Sequence, residues 1–119
     1  MDIGMRKYGQ VQVIKLKGAF RLGNSVDDFK SQTEALLGEG IFQMVLNLSE
    51  VPMMDSSAIG VVVRLMTSCK SRGGGLKLVN PSKLVGQTLR MVGLLNIFEV
   101  FEDDAGAVAS FGSVGAAAS

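Results

Sequence analysis

The chain has 119 residues, 47% of them hydrophobic and 19% charged, which bounds it to one globular domain with a modest core and not a disordered chain. Its net charge of +1 lacks the basic surplus of a nucleic-acid binder, no apolar run approaches a membrane span, and the N-terminus lacks the apolar core of a signal peptide. There is no histidine and a single cysteine, so the commonest general base and metal ligand is missing, no disulfide framework exists, nothing points to a cofactor, and a reducing cytoplasm is the expected home.

Residues 5–17 alternate as a pair of strands. Val11, Val13, Ile14 and Leu16 bracket Gln12, Lys15 and Lys17, and Gly9-Gln10 falls where a hairpin turn would lie. Gly18 ends the pair. Gly23-Asn24-Ser25 leads into a first helix, with Asn24 or Ser25 as its N-cap, Val26, Phe29, Leu36 and Leu37 as its buried stripe, and the glycines at 38 and 40 as its stop. Phe42 to Leu48 is an apolar run of strand length, broken by Ser49-Glu50-Val51-Pro52. Asp55-Ser56-Ser57 then precedes a second helix with Ile59, Val62, Val63 and Met66 on one face, running to about Ser71. Arg72 to Gly75 ends it and Leu76 to Val79 is the next strand. Asn80-Pro81 reads as cap and first residue of a third helix, with Leu84, Val85, Leu89, Met91 and Val92 as its apolar face. Ile97 to Phe101 is a last strand, Asp103-Asp104 cap an Ala-rich helix carrying Val108 and Phe111, and residues 112–119, with nothing to bury, read as a disordered tail. Strand–helix alternation of this kind predicts an α/β layer domain over residues 1–111.

The junction at residues 45–60, VLNLSEVPMMDSSAIG, is the most informative stretch. A strand feeding a polar loop at a helix N-terminus puts hydroxyls beside unpaired N–H groups and the positive end of the helix dipole, a fitting place for a phosphate. The stretch resembles the signature of the STAS domain, the sulphate-transporter and anti-sigma-factor-antagonist family, whose usual form is D-L-S-x-V-x-x-I-D-S-S-G-L-G. The likeness extends to Gly73-Gly74-Gly75-Leu76-Lys77-Leu78-Val79-Asn80 and to Val92-Gly93-Leu94, nearly the whole chain. It implies a mixed sheet of about four to five strands with about four helices packed mainly on one side. It also implies a non-enzymatic anti-sigma-factor antagonist. Ser56, the first serine after the aspartate, would be phosphorylated by an ATP-binding serine kinase that is also the anti-sigma factor, with a phosphoserine phosphatase as a further partner. The implied partner-binding surface is Asp55, Ser56 and Ser57 with Met54, Ile59, Arg21 and Asn24. A homodimer stays open, and membrane insertion and nucleic acid are not expected.

Plainer readings stand beside these. Ser56 or Asp55 can serve merely as helix caps, since both residue types are preferred there. Ala58 replaces the family's glycine and adds a methyl where a kinase would approach. Arg21, in Gly18-Ala19-Phe20-Arg21, stands where many members carry an acid; it is either an inconsequential surface charge or a guanidinium able to pair with phosphate. Those two departures favour the alternative, a STAS interaction module that is never phosphorylated, such as a lipid-transport ATPase subunit or a stress-signalling scaffold. The run Gly73-Gly74-Gly75 ends a helix and is not a P-loop. Cys69 reads as a small buried hydrophobe, and Met53 and Met54 as an adaptable rim to the loop. Residues 71–95 carry Arg72, Lys77, Lys83 and Arg90 without an acid, and residues 96–119 carry Glu99, Glu102, Asp103 and Asp104 without a base, which reads as two solvated faces or as a bipolar docking surface.

Overall fold

The computed structural model describes residues 1–118, and side-chain surroundings as far as Phe111. Strands β1 (Asp2–Tyr8) and β2 (Val11–Lys17) form an antiparallel hairpin whose two-residue turn takes Gly9 to φ +61°, a conformation that glycine adopts without strain. Helix α1 (Asn24–Gly38), strand β3 (Gln43–Glu50), helix α2 (Ser56–Ser71), strand β4 (Gly75–Val79), helix α3 (Lys83–Met91), strand β5 (Val100–Phe101) and helix α4 (Asp104–Ala118) follow. The sheet order is β1-β2-β3-β4-β5, antiparallel at the hairpin and parallel from β2 onward. This is the expected mixed α/β sheet.

Period-2 alternation sorts the strand side chains onto two faces. Ile14, Leu16, Met44, Leu46, Leu48, Leu76 and Leu78 meet Val26 and Phe29 of α1, Val62 and Met66 of α2 and Val85 and Leu89 of α3 in the main core. Val11, Val13, Val45 and Val79 face the other way and pack on Ala107 and Phe111 of α4. Helices therefore cover β3 from both sides, which is why it reads as an unbroken apolar run. Cys69 is fully buried in the main core.

Several boundaries differ from the sequence reading, each for a local reason. β1 begins at Asp2 because the whole hairpin pairs, from Asp2 with Lys17 to Tyr8 with Val11. The N-cap of α1 is Gly23, not Asn24 or Ser25, since the Ser25 hydroxyl is engaged by Arg21. α3 starts two residues late: Asn80 sits at φ +44° outside the helix and Ser82 is the cap, its Oγ accepting from Val85 N–H (3.4 Å). Of the face expected on α3 only Val85 and Leu89 are buried, and Leu84, Met91 and Val92 stand exposed. A 3-10 turn at Leu94–Asn96 takes the Ile97 and Phe98 N–H groups back to the Leu94 carbonyl, leaving β5 only two residues long. On α2 the buried stripe is Ala58, Val62, Leu65, Met66 and Cys69, while Ile59 and Val63 are half-buried. The expectation for residues 112–119 lies outside the residues whose side chains are described.

Candidate docking site around Asp55 and Ser56

Beyond the regular ends of β2 and β3 the two chains stay zipped together. Gly18 N–H donates to Glu50 O (3.0 Å), Phe20 N–H to Met53 O (3.1 Å) and Asp55 N–H to Phe20 O (3.2 Å). Phe20 and Met54 form a parallel bridge, and both side chains are buried. The loop after β2 and the loop after β3 thus make one platform at the N-terminus of α2.

Asp55 fastens that platform. Its backbone is extended (φ −94°, ψ −179°), as an N-cap requires, and its Oδ1 accepts from Ala58 N–H at 2.9 Å. Its Oδ2 accepts from Leu22 N–H at 2.8 Å, a bond between residues far apart in sequence. The N–H groups of Leu22 and then Ala58 favour the charged form and hold the carboxyl below the usual carboxylate range. Ser25 completes the clamp: its Oγ accepts from Arg21 N–H (2.9 Å) and donates to Arg21 O (2.7 Å).

With Asp55 as cap, Ser56 is the first helical residue and is exposed. Its hydroxyl takes no part in holding the helix end, so the capping reading belongs to Asp55 and not to Ser56. Ser57 beside it is half-buried. Asp55 is a poor general base, with each oxygen bound to an N–H and a lowered basicity, so the geometry supplies Ser56 with no internal activation.

The other expected contact residues divide. Arg21 and Asn24 are exposed on the clamped loop and at the start of α1, and Ile59 is half-buried on α2. Met54 is 5% exposed and belongs to the core, so it offers little rim surface, while Met53 is half-buried and Leu22 is 74% exposed. The Ala58 methyl is fully buried and points into the core, where it cannot obstruct an approaching partner. Sequence reasoning missed Leu22 and Ser25, whose roles depend on a contact across 33 residues and a local clamp with no motif of its own. It also missed Ser82, which donates from Oγ to the Val51 carbonyl (2.7 Å) and ties α3 to the same platform. A serine three residues before Val85 was the available signal, hidden by the neighbouring Asn80-Pro81 pair.

A five-stranded mixed sheet with three crossover helices on one face, and an aspartate-capped serine pair at the junction of β3 and α2, define the class to which this chain conforms. The chain belongs to the STAS domain family, which it matches over residues 2–107. A Thermotoga maritima protein provisionally named an anti-sigma factor antagonist is 32% identical over 69 residues, a stretch covering 58% of this chain and only 61% of that relative. The anti-sigma F factor antagonist of Paenibacillus polymyxa is 24% identical over 108 residues, 91% of this chain and 92% of its own. Among solved structures, that of the Thermotoga maritima antagonist superposes with TM-score 0.85 at 25% identity, covering 91% of this chain and 92% of its own. The phosphorylated form of Bacillus SpoIIAA superposes with TM-score 0.76 at 20% identity over 92% and 99%. That last likeness is one of fold. No helix among the described residues is long and apolar enough to cross a membrane.

Proposed function

We propose that this protein is an anti-sigma-factor antagonist, a cytoplasmic binding protein switched by phosphorylation of Ser56 and not an enzyme. Unphosphorylated, the platform of Asp55, Ser56 and Ser57, edged by Leu22, Met53, Ile59, Arg21 and Asn24, docks on an ATP-binding serine kinase that is also the anti-sigma factor. One observation carries the reading: Asp55 alone caps α2 and tethers Leu22, which leaves the Ser56 hydroxyl exposed at a helix start with no structural duty. The names of the relatives support the same assignment.

Phosphorylation adds close to two negative charges next to the Asp55 carboxylate, and like-charge repulsion with desolvation expels a partner seated there. A loss of about 2–3 kcal/mol lowers affinity about 30- to 150-fold, enough for a switch. A phosphoserine phosphatase resets it. The test is incubation with the cognate kinase and ATP followed by phosphopeptide mapping. Modification is expected at Ser56, and modification of Ser57 alone, or of neither with a kinase active on another substrate, defeats the reading. The alternative module that is never phosphorylated retains one supporting observation, the exposed Arg21 in place of an acid. Ala58 no longer speaks for it.

A further inference from the structure

The sheet has two edges, β1 and β5. On the β5 edge the carbonyls of Glu99, just before the strand, and of Phe101 point at β4, accepting from Leu78 N–H (3.0 Å) and Asn80 N–H (2.8 Å). Peptide groups alternate along a strand, so the Val100 N–H and C=O point the other way, off the edge. Val100, Phe98 and Leu95 form one wall of an open groove of about 650 Å³. The other wall is α3, which presents Lys83, Gln87 and Arg90 at i, i+4 and i+7, one side of the helix. Both cations are exposed, and neither joins an ion pair among the described residues. The acid just before this strand, Glu99, lies on the opposite face of the sheet, where it pairs with Lys77 at 3.5 Å. The groove lining therefore carries two cations and no acid.

We infer that this groove takes an extended, acid-bearing segment of a partner protein, added as a strand along Val100 with its carboxylates against Lys83 and Arg90. Free backbone groups at a sheet edge are satisfied by a strand and not by a helix, whose own groups are already paired. The alternation of an added strand sends every second side chain into the groove, where carboxylates meet the two cations and apolar residues meet Leu95 and Phe98. A second copy of this chain fits less well. Paired β5 to β5 it would offer a two-residue edge and bring the same two cations face to face, and its other edge, β1, carries Arg6 and Lys7 against the single acid Asp2. Two cations on a chain of net charge +1 are too few for nucleic acid. The inference does not depend on Ser56 being phosphorylated.

The test titrates a synthetic peptide of alternating valine and glutamate, about eight residues long, into the full-length isotope-labelled protein and follows backbone amides by NMR. The Val100 amide is expected to shift and to exchange more slowly. The double variant Lys83→Glu/Arg90→Glu, which changes only exposed side chains, is expected to weaken binding at least about tenfold, or about 1.4 kcal/mol. A proline at the pairing position of the peptide should abolish binding, and a valine–lysine peptide should not bind. No binding up to about 1 mM, an unmoved Val100 amide at saturation, or equal affinity for the lysine peptide each overturns the inference. So does self-association of the free protein in sedimentation that the double variant removes or strengthens, which would assign the groove to a second copy.

Discussion

At the scale of single residues, the capping role that the sequence leaves open between Asp55 and Ser56 falls to Asp55. Ser56→Ala is expected to shift stability by no more than about 0.5 kcal/mol, since the site is exposed and carries no cap. Ser56→Asp should be equally mild in a denaturant melt, yet on the proposed switch it weakens binding of the proposed kinase partner in calorimetry. Equal affinity of the two variants would mean that charge at this position is not read. Asp55→Ala should lower the melting temperature visibly, because it releases both the Ala58 and the Leu22 N–H groups. Its carboxyl is held below its unfolded value, so its contribution is present above the ordinary carboxylate range near pH 4 and is lost as pH falls through the lower native value. The stability advantage of the natural chain over Asp55→Asn should accordingly be larger at pH 7 than in acid, measured by denaturant melts at several pH values. Arg21 has its backbone held on both sides by Ser25, with Leu22 next to it bonded to Asp55, so its side chain starts from a fixed place beside the loop. If the guanidinium pairs with a phosphate on Ser56, Arg21→Asp will destabilise the phosphorylated protein more than the unphosphorylated one. Zero coupling in that four-species cycle returns Arg21 to a plain surface charge. The Asp55–Ser56 pair was legible because strand, loop and helix start were each marked by composition. The clamp by Leu22 and Ser25 was not, because no local pattern announces a bond across 33 residues.

Elements were legible in their order and less so at their ends. The glycines after α2 marked its stop, and the reason they are small is now specific. A methyl added at Gly74 would run into the carbonyl of Phe42, so Gly74→Ala is expected to cost about 2 kcal/mol or more, read as a shift in denaturant midpoint with unchanged slope. The start of α3 was misplaced because Asn80-Pro81 imitates a cap and first residue, while Ser82, with partners on both sides, holds the actual position. The exposed side of that helix carries large apolar residues, so hydrophobic spacing alone overstated its buried face. On β3, Asn47 stands where the family motif has an aspartate. Its Nδ2 donates to Asp104 Oδ1 (2.8 Å) at the start of α4, and its Oδ1 accepts from both N–H and Oγ of Ser49. Asn47→Asp would set two carboxylates against each other beneath α4. The substitution should destabilise the protein at neutral pH, and Asp104→Asn should restore much of the loss, with a coupling of about 1 kcal/mol or more.

For the whole molecule, the segregation of charge along the sequence does not translate into two opposed faces. Lys77, counted among the bases of residues 71–95, has a side chain only 12% exposed, lying over the rings of Phe111 (4.5 Å) and Phe101 (5.5 Å) and donating to Ser110 Oγ (2.6 Å). That cation holds α4 to the sheet and is not part of a docking surface, which leaves Lys83 and Arg90 as the exposed pair along the α3 groove. The sequence could mark both layers of the core through strand alternation, but not which cations fall beneath a helix. The buried thiol of Cys69 has one more use. Burial pushes it up to about 11, so in the closed protein it is both hidden and almost entirely protonated, and thiol reagents meet it only when α2 lifts from the sheet. A disulfide reagent added in excess therefore turns the protein into its own stopwatch: the labelling rate, against that of the denatured chain, counts how often the helix bearing Ser56 comes loose.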